Sequence, residues 1–345
     1  MQTKLAVVIL NWNGSAMMRR FLPSVVRYSN LPGVQVIVAD NHSSDDSLEM
    51  LRACFPTVGT IVLDENYGFA EGYNRALRQV ESIYYLLLNS DVEVTTGWLE
   101  PLLDYMDMHK EMAACQPKLL SFSAKEKGKE VFEYAGACGG YLDRYGYPFC
   151  RGRVMERVED DHGQYDTPHS VFWATGAALL VRAADYWNVG GLDGRFFAHM
   201  EEIDFCWRLR SRGRGIACVP MSKVYHVGGA TLNKENPRKT YLNFRNNLLM
   251  LYKNLPEAEL SHVMRARHML DFLASVVFFL KGERASARAV FQARQDFKQM
   301  LPDFKASREQ NLKAALLRVI PERIRGSVLW NYYVKRRNTF AQIIK

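Results

Sequence analysis

Apolar and polar positions follow one another in blocks over the first hundred residues, and these blocks predict a regular order of strands and helices. Leu5–Leu10 is a continuous apolar run, which is typical of a strand buried on both faces. Apolar residues at helical spacing over Ser15–Tyr28 predict an amphipathic helix. The same reasoning predicts strands at 34–39, 60–63 and 83–88 and helices at 48–55 and 69–80. This β-α-β-α-β-α-β order predicts an α/β fold with a mostly parallel sheet and helices on its faces.

The pattern changes after residue 120. Residues 121–130 are polar and rich in Lys, and Gly136–Arg153 is dense in Gly, Tyr and turn residues, which predicts a hairpin or flap. The elements predicted next are strands at 171–181 and 216–219 and helices at 183–189 and 205–212. From Tyr241 onward the periodicity is helical, with no strand signal. We therefore expect two parts, an α/β domain over 1–235 and a helical region over 236–345.

Composition excludes several classes of protein. The chain has 345 residues, of which 48% are hydrophobic and 24% charged, so it is neither disordered, collagen-like nor a disulfide-stapled miniprotein. None of its six cysteines forms a Cys-x-x-Cys pair, so we expect reduced, mostly structural thiols and no zinc ribbon or thioredoxin-type site. No apolar run approaches the roughly 20 residues of a spanning helix. The six-residue run Leu5–Leu10 is also too short for a signal peptide, which predicts a cytoplasmic protein.

Charge is distributed unevenly along the chain. Residues 231–345 hold 22 basic and 9 acidic residues, whereas the first 230 hold 23 basic and 28 acidic. A basic block favours anionic partners, although a solvated helical surface would look the same. The eleven-residue apolar run Leu270–Leu280, followed by Lys281 and Arg284, could lie on the inner face of the cell membrane or pack onto the first domain. No nucleic-acid-binding motif accompanies the charge, so we expect no nucleic-acid partner.

Polar residues follow the predicted strands at the edge where ligands bind in parallel sheets. Asn11, Asp40 and Asn66 each follow a strand, and Asn89-Ser90-Asp91 follows the buried run Tyr84–Leu88. A carboxylate such as Asp91 can hold a hard divalent cation together with a diphosphate, since Mg²⁺ takes few protein carboxylates. The alternative is an ordinary strand-end Asp that caps the next helix.

Three further segments could carry chemistry. Glu201, Glu202 and Asp204 crowd the start of a predicted helix, where mutual repulsion could raise one pKa towards that of a general base, or they form a solvated acidic helix start. His226 follows a strand beside two glycines and is either a ligand or an ordinary histidine. Trp173, beside small residues, is either a platform for a sugar or a core residue.

Motifs of other nucleotide-binding and hydrolytic enzymes are missing from the sequence. The first predicted strand leads into a segment with a single glycine, Gly14, rather than Gly-x-Gly-x-x-Gly. There is no Gly-x4-Gly-Lys-Ser/Thr and no Gly-x-Ser-x-Gly. The sequence therefore disfavours a nicotinamide enzyme, a P-loop NTPase and an α/β-hydrolase.

Taken in order, five segments resemble family 2 glycosyltransferases, and most closely the rhamnosyltransferase-like bacterial branch. The resemblance covers roughly residues 4–230 and rests on Val7–Gly14, Val38–Asp45, Glu65–Ala76, Leu86–Asp91 and Gly190–Asp204. It implies a GT-A fold, a nucleotide-diphosphate sugar donor, a divalent metal (Mg²⁺ or Mn²⁺) and inversion at the anomeric carbon. It also implies a glycan or lipid-linked acceptor in bacterial surface polysaccharide synthesis.

The resemblance also implies roles for individual residues. Asp40 would read the base, Asp91 would meet the metal and diphosphate, His226 would be a further metal ligand, and Glu202 would be the base that deprotonates the acceptor hydroxyl. The other nucleotide-binding positions would be Asn11, Asn66, Gly68, Gly72, Asn74, Asn89 and Ser90, and the acceptor positions would be Trp173, Thr175 and Gly176.

The chain departs from the family pattern at two positions. Asn89 stands where many members have Asp, which removes one negative charge from the metal site. Glu202 stands where Asp is commoner, so Glu201 or Asp204 could hold the role of the base instead. Deoxythymidine- and uridine-linked donors both fit an Asp40-type base contact. The alternative function is a non-catalytic nucleotide-sugar or glycan-binding protein on the same scaffold.

Overall fold

The computed structural model describes residues 3–228 and 236–344. Its strands are β1 (Leu5–Asn11), β2 (Val34–Asp40), β3 (Gly59–Val62), β4 (Tyr84–Leu88), β5 (Val92–Val94), β6 (Met112–Ser121), β7 (Gly140–Leu142), β8 (Pro148–Cys150), β9 (Arg153–Val154), β10 (Arg157–Val158), β11 (His169–Ser170), β12 (Ala178–Arg182) and β13 (Gly215–His226).

The α-helices of the described residues are α1 (Ser15–Tyr28), α2 (Ser47–Cys54), α3 (Gly68–Leu77), α4 (Glu100–Met108), α5 (Phe122–Lys125), α6 (Ala183–Asn188), α7 (Glu201–Ser211), α8 (Pro237–Asn254), α9 (Glu257–Leu280), α10 (Arg284–Ala314) and α11 (Phe340–Ile344). A short 3-10 turn lies at Gly194–Phe196. None of the helices in this part of the chain is long and apolar enough to cross a membrane.

The main sheet has nine strands within the described residues, in the order β11-β13-β6-β12-β4-β1-β2-β3, with β5 paired to β13. β1 runs parallel to both β2 and β4, and the register places Asn11 opposite Asp40. β12 is antiparallel to β4 and β6, which makes the sheet mixed. The carboxyl ends of β1, β2 and β4 therefore meet at one edge, where the sequence placed its polar residues.

Residues of β1 alternate between two hydrophobic clusters. Leu5, Val7 and Ile9 belong to one cluster, and Ala6 and Val8 to the other. Both faces of the strand are buried, as its unbroken apolar run predicted. The predicted fold class, α/β with a GT-A-like sheet and a C-terminal helical region, is confirmed.

Several later elements differ from the sequence prediction. The polar Gln116 and Lys118 interrupt the apolar pattern of β6, and this long strand was not predicted. The predicted strand over 171–181 is wrong for its first half, because only Ala178–Arg182 is a strand. Helix α7 begins at Glu201 rather than at residue 205, so the acidic residues are inside its first turn.

The predicted hairpin is present as a small second sheet of four antiparallel strands, β7 to β10. It packs against the segment between α10 and α11: the backbone N–H of Ile324 donates to the carbonyl of Leu142, and that of Val328 donates to the carboxylate of Asp143. Leu251 of α8 and Phe304 of α10 are buried in the same cluster as Val8 of β1. The two predicted parts thus share one core, and their predicted boundary adjoins 229–235, outside the described residues.

Candidate active site

The end of β1 is tied to the end of β2 by side-chain hydrogen bonds. Nδ2 of the buried Asn11 donates to Oδ1 of Asp40 at 3.0 Å and to Oγ of Ser43 at 3.1 Å. The other oxygen of Asp40 accepts from the backbone N–H of Ser43 at 2.9 Å, which turns the chain sharply after the strand. Oδ1 of Asn11 is buried without a partner among the described residues. Gly14 packs against this oxygen, because a Cβ on Gly14 would lie 2.4 Å from it.

Asn66 organises the start of α3. Its Oδ1 accepts from Nδ2 of Asn41 at 3.0 Å and from the backbone N–H of Gly68 at 2.9 Å. Gly68 has φ +71°, and a Cβ there would lie 2.6 Å from Cδ2 of Phe197. Both the backbone conformation and the close ring therefore require glycine at this position.

Two other predicted nucleotide residues serve packing between elements. A Cβ on Gly72 would lie 3.0 Å from Cδ2 of Leu10, so glycine lets α3 approach β1. Asn74 donates to the carbonyl of Leu192 at 2.7 Å and accepts from the hydroxyl of Tyr186 at 2.8 Å. The amide of Asn74 thus positions the loop at 191–192, and a role for Asn74 in nucleotide binding stays a prediction.

Asp91 and His226 lie side by side beyond the end of β4. Nε2 of His226 is 3.2 Å from Oδ1 of Asp91 and 3.5 Å from Nδ2 of Asn89. Ser90, the middle residue of Asn89-Ser90-Asp91, is half-buried and lies close to Gly14. These residues come from the β4–β5 connection and the end of β13, two segments far apart in sequence that the β5–β13 pairing brings together.

Glu133 is a buried carboxylate that the sequence did not single out. Its Oε1 lies 3.5 Å from Nδ1 of His226, and its Oε2 accepts from the backbone N–H of Ala135 at 2.5 Å. A Cβ on Gly228 would approach Oε1 of Glu133 to 2.8 Å. Glu133 occurs in the segment between β6 and β7 with no pattern that marks it, so only the fold shows that it stands behind His226.

The two carboxylates and the imidazole shift one another's pKa values. Burial alone would lower the pKa of His226, but Glu133 and Asp91 raise it to about 10. Burial alone would raise the pKa of Asp91, but the hydrogen bond and charge of His226 hold it below its usual value. An ion pair therefore fills this part of the site when no other cation compensates the carboxylates.

The donor set fits a hard divalent cation with a diphosphate. Asp91 offers a carboxylate oxygen, which suits both Mg²⁺ and Mn²⁺, and His226 offers an imidazole nitrogen, which Mn²⁺ accepts more readily than the strictly oxygen-binding Mg²⁺. Among the described residues, no cluster of three or more His, Cys, Asp or Glu could hold a metal by itself. The protein would supply two ligands, and phosphate oxygens the remainder. Nδ1 of His226 lies 3.5 Å from Oε1 of Glu133 and makes no hydrogen bond in the described structure, so Glu133 acts on the imidazole through its charge, on the side where a carboxylate orients the imidazole in other metal sites.

The start of α7 carries Glu201, which is buried, and Glu202, which is half-buried. One oxygen of each has no hydrogen-bond partner in the described structure. Burial raises the pKa of Glu202 to about 7, and burial together with the charge of Glu202 raises that of Glu201 well above its usual value. A Cβ on Gly176 would lie 3.8 Å from Cβ of Glu202, so Glu202 adjoins a predicted acceptor position.

The prediction that Asp204 could act as the base is wrong. Its carboxylate is fully buried and accepts from Nε of Arg208 at 2.9 Å, Nζ of Lys253 at 2.7 Å and Nδ2 of Asn254 at 2.7 Å. A carboxylate held by two cations and an amide has no oxygen free to take a proton from a substrate. Asp204 anchors α7 to α8 instead.

The loop before α7 is held in an uncommon conformation. Phe197, His199 and Met200 all have positive φ, from 66° to 71°. Asn246 of α8 donates from Nδ2 to the carbonyl oxygens of Phe196, Ala198 and His199 at 2.8–2.9 Å. No sequence pattern marks Asn246 or His199 as functional residues. An Asn on a distant helix and a His beside two acidic residues gave no pattern strong enough to connect them.

Thr175 and Gly176 lie between the acidic helix and the end of β4. The backbone N–H of Asn89 donates to the carbonyl of Ala177 at 3.0 Å, and Thr175 is buried. The prediction that Trp173 contacts the acceptor is wrong. Trp173 is only 3% exposed, its ring packs on Gly140, and its indole N–H donates to the carbonyl of Tyr141 at 3.1 Å. It joins the hairpin to the main sheet.

All six cysteines lie within the described residues. Five are buried, Cys54 is exposed, and none forms a disulfide in the described structure.

Comparison with known proteins shows which family and which proteins the chain resembles. Residues 6–146 match the family model described as Glycosyl transferase family 2. The chain is 25% identical over 245 residues to the N-acetylglucosaminyl-diphospho-decaprenol L-rhamnosyltransferase of Mycobacterium tuberculosis, a match that covers 64% of this chain and 75% of that protein. It is 26% identical over 204 residues to the rhamnosyltransferase WbbL of Escherichia coli, covering 56% and 72% of the two chains.

Solved structures share the fold. A complex of S. aureus TarS 1–349 with UDP-GlcNAc matches with a TM-score of 0.55 and 17% identity, over 90% of this chain and 89% of that chain. GalNAc-T7 with UDP, GalNAc and Mn²⁺ matches with a TM-score of 0.57 and 14% identity, over 72% of this chain and 48% of that chain. The chain has a GT-A-like fold, its residues 6–146 match the model of glycosyl transferase family 2, and it is an enzyme of the glycosyltransferase class.

Proposed function

We propose that this enzyme is an inverting, metal-dependent hexosyltransferase. It moves a sugar from a dTDP- or UDP-linked donor to a hydroxyl of a glycan or lipid-linked acceptor in bacterial surface polysaccharide synthesis. One observation carries the proposal: the segment Asn89–Asp91 connects the proposed metal site with the proposed general base. It holds Asp91 beside His226, and it hydrogen-bonds through Ala177 to the stretch where Gly176 adjoins Glu202. A site for charge on a leaving diphosphate thus lies near a candidate base.

The donor's base is proposed to lie at the ends of β1 and β2. Asp40 is held in place by Asn11 and Ser43, and its carboxylate is proposed to accept a ring N–H of the base. Pyrimidine bases carry such an N–H beside carbonyl oxygens. The further residues that shape the nucleotide site are Asn66, Gly68, Gly72, Asn74, Asn89 and Ser90. The rhamnosyltransferase relatives favour a rhamnosyl donor, and the UDP complexes of the structural neighbours favour a UDP-linked one.

Asp91 and His226 are proposed to bind Mg²⁺ or Mn²⁺. When bound, the cation neutralises the charge that develops on the leaving diphosphate. Asp91 presents a carboxylate oxygen, and His226 presents Nε2 while Glu133 orients the ring through Nδ1. Since Asn89 replaces a carboxylate of the family pattern, the site has fewer negative charges and depends on the donor diphosphate for tight binding.

Glu202 is proposed to deprotonate the acceptor hydroxyl. Its pKa of about 7 leaves it partly ionised at neutral pH and basic enough to accept a proton during attack on the anomeric carbon. Glu201 remains the alternative, because it also has an oxygen without a hydrogen-bond partner in the described structure, although it is more deeply buried than Glu202. Thr175 and Gly176 lie where the acceptor would approach Glu202.

The acceptor is proposed to be a saccharide on a lipid carrier or a glycan chain. The Mycobacterium tuberculosis relative is named for a diphospho-decaprenol acceptor. We also propose a cytoplasmic location at the inner face of the membrane and a division into a catalytic part over 1–235 and a basic helical part over 236–345. The helical part supplies Asn246 and Lys253 to the acidic loop and helix.

Thermal unfolding with nucleotides tests the proposal. UDP or dTDP with Mn²⁺ should raise the Tm, because a ligand that binds only the native state stabilises it by mass action. Asp91→Ala should abolish the metal-dependent part of the shift. Glu93→Ala, two residues away and half-buried on β5, is the matched control and should keep it. Glu202→Gln should keep the shift but lose sugar transfer.

The opposite results would point to another function. Absence of a shift with any nucleotide diphosphate, with or without Mn²⁺, would contradict the donor site. A shift without transfer of any sugar by the wild type would favour a binding protein on the same scaffold.

A further inference from the structure

The second half of α9 exposes its apolar face and buries its polar face. Its outward face is apolar, at positions spaced for one side of a helix: Met269, Phe272, Leu273, Val276, Val277 and Leu280 are 36–78% exposed. Its inward face is polar, because Arg267, Asp271 and Ser275 are at most 2% exposed. A helix on the surface of a water-soluble domain normally presents the opposite arrangement. The exposed stripe is therefore a surface made for an apolar environment.

Ion pairs fix this orientation. Arg267 donates to the carboxylate of Asp271 at 3.0 Å and to the carbonyl of Tyr145 at 3.1 Å. Arg294 of α10 donates to the other oxygen of Asp271 at 2.8 Å. Rotating α9 to bury its apolar side would break this buried network and leave charges unpaired, at a large cost. The outward direction of the apolar stripe is thus specified by the inward polar residues.

Cationic side chains border the stripe. Lys281, Arg284 and Arg288 are exposed, and Cζ of Arg284 lies 5.9 Å from the ring centroid of Phe279. Over 268–292 the one exposed acidic residue is Glu283, since Asp271 is buried. The neighbourhood of the stripe is therefore apolar and positively charged, which complements a surface with anionic headgroups above an apolar layer.

We propose that residues 269–280 of α9 dock in the plane of an anionic phospholipid surface. The stripe is about 17 Å long at 1.5 Å per residue, a length that suits a helix lying in the interface. Pairing with a second copy is disfavoured, because it would bring two like-charged cationic borders together, whereas anionic lipid neutralises them. Docking would place the enzyme next to a lipid-linked acceptor, and only that consequence depends on the proposed function.

Vesicle co-sedimentation of the full chain tests the docking. At low salt the protein should bind phosphatidylcholine vesicles that contain phosphatidylglycerol, and weakly or not at all those of phosphatidylcholine alone. The double variant Phe272→Glu/Leu273→Glu should lower partitioning by about tenfold per side chain, since each removes one buried apolar group from the interface. Met108→Glu on α4, 72% exposed in the wild type, is the matched control and should bind like the wild type.

A charge reversal provides an independent second variant. Lys281→Glu/Arg284→Glu changes exposed residues at the turn between α9 and α10, so it should fold even where the apolar double variant does not. It should reduce binding to the anionic vesicles and leave the remaining binding insensitive to salt. The nucleotide-dependent Tm shift should be the same in all variants, which separates a failure to dock from a failure of the donor site.

Three results would overturn the proposal. One is a wild type that stays in the supernatant with anionic vesicles at low salt. Another is unchanged vesicle binding of both double variants. The third is a lipid-free dimer that Phe272→Glu/Leu273→Glu dissociates, together with no vesicle binding, which would assign the stripe to contact between copies of the chain.

Discussion

Glu133 stands directly behind His226, with its Oε1 3.5 Å from Nδ1 of the imidazole. The opposite nitrogen of the ring, Nε2, faces Asp91 at 3.2 Å. All three side chains are almost fully buried, so the imidazole has little freedom to turn. This arrangement makes Glu133 a positioning residue for His226 and separates its role from that of the residues that would touch the cation or the donor.

We therefore expect Glu133→Gln to weaken Mn²⁺ binding by about 10–100-fold while Asp91 and His226 are unchanged, as for other carboxylates that orient a metal-binding imidazole. Titration of Mn²⁺ in the presence of UDP, followed by electron paramagnetic resonance, measures the effect without relying on activity. Glu130→Gln is the matched control, since Glu130 is nearby but exposed and contacts Lys223 and Tyr225. Equal Mn²⁺ affinity in both variants would show that Glu133 has only a structural role.

The pKa of Glu202 predicts the pH dependence of transfer. A base acts in its ionised form, so kcat/KM should rise with pH and level off above the pKa of about 7. Glu202→Gln should remove this limb and lower kcat by about 10²–10⁴-fold with donor affinity kept. Glu201→Gln is the informative comparison. If it loses as much activity and Glu202→Gln retains the rise with pH, then Glu201 is the base.

Burial of the same carboxyl predicts an effect on stability. Its pKa is higher in the folded than in the unfolded chain, so its contribution is fully present below the unfolded value and is lost as pH rises through about 7. Glu202→Gln should therefore be more stable than the wild type above pH 7, by on the order of 2 kcal/mol. The two proteins should be equally stable at a pH below the unfolded pKa of Glu202. Urea unfolding of both proteins, once above pH 7 and once below the unfolded pKa of Glu202, measures the difference in the free energy of unfolding.

The sequence predicted the elements of the first hundred residues because each segment there has one clear pattern of apolar and polar positions. Strand β1 is continuously apolar and α1 has helical spacing, and the structure places both within one residue of the prediction. Strand β6 was missed because Gln116 and Lys118 are buried through partners distant in sequence. Lys118 pairs with Asp161, and Gln116 accepts from the backbone N–H of Thr175. Such compensation is tertiary and leaves no local pattern.

Some residues of the candidate active site could likewise be predicted from the sequence, and others could not. Residues directly after strands, such as Asp40 and Asp91, were predictable because the topology of a parallel sheet brings strand ends together. Glu133 and Asn246 were not, since Glu133 acts on His226 and Asn246 on the loop before α7, and only the fold brings these segments near. Trp173 was misjudged because a buried tryptophan beside small residues looks the same in sequence as an exposed platform.

Gly68 and Gly97 form a matched pair for testing the contact with Phe197. Both have φ +71°, but a Cβ on Gly97 would meet nothing within 4 Å, whereas one on Gly68 would strike the ring of Phe197. Gly97→Ala should cost about 1 kcal/mol from backbone strain alone. Gly68→Ala should cost more and also lower kcat, because the loop before α7 must move. Comparable losses of stability with unchanged kcat would mean that the loop does not couple to α3.

The domain division can be tested by truncation. Removing residues 236–345 would take away Asn246, which holds the loop before α7, and Leu251, which is buried in the core shared with β1. We expect residues 1–235 to lack cooperative thermal unfolding and nucleotide binding. Circular dichroism during heating and the Tm shift with UDP and Mn²⁺ measure both. A truncated chain that melts cooperatively and keeps the shift would establish the first part as an independent domain.

Asp204 should matter for stability and not as a base. It is fully buried between Arg208 and Lys253, and removal of one partner from such a network leaves buried charges unpaired. Asp204→Asn should therefore lower the free energy of unfolding by about 3–5 kcal/mol. The exposed pair Arg19–Asp46 provides the control, because Asp46→Asn should leave the Tm unchanged. Residual transfer by Asp204→Asn, measured below its Tm, should keep the rise of kcat/KM with pH, because Glu202 is intact. Loss of that rise with stability preserved would return Asp204 to the candidates for the base.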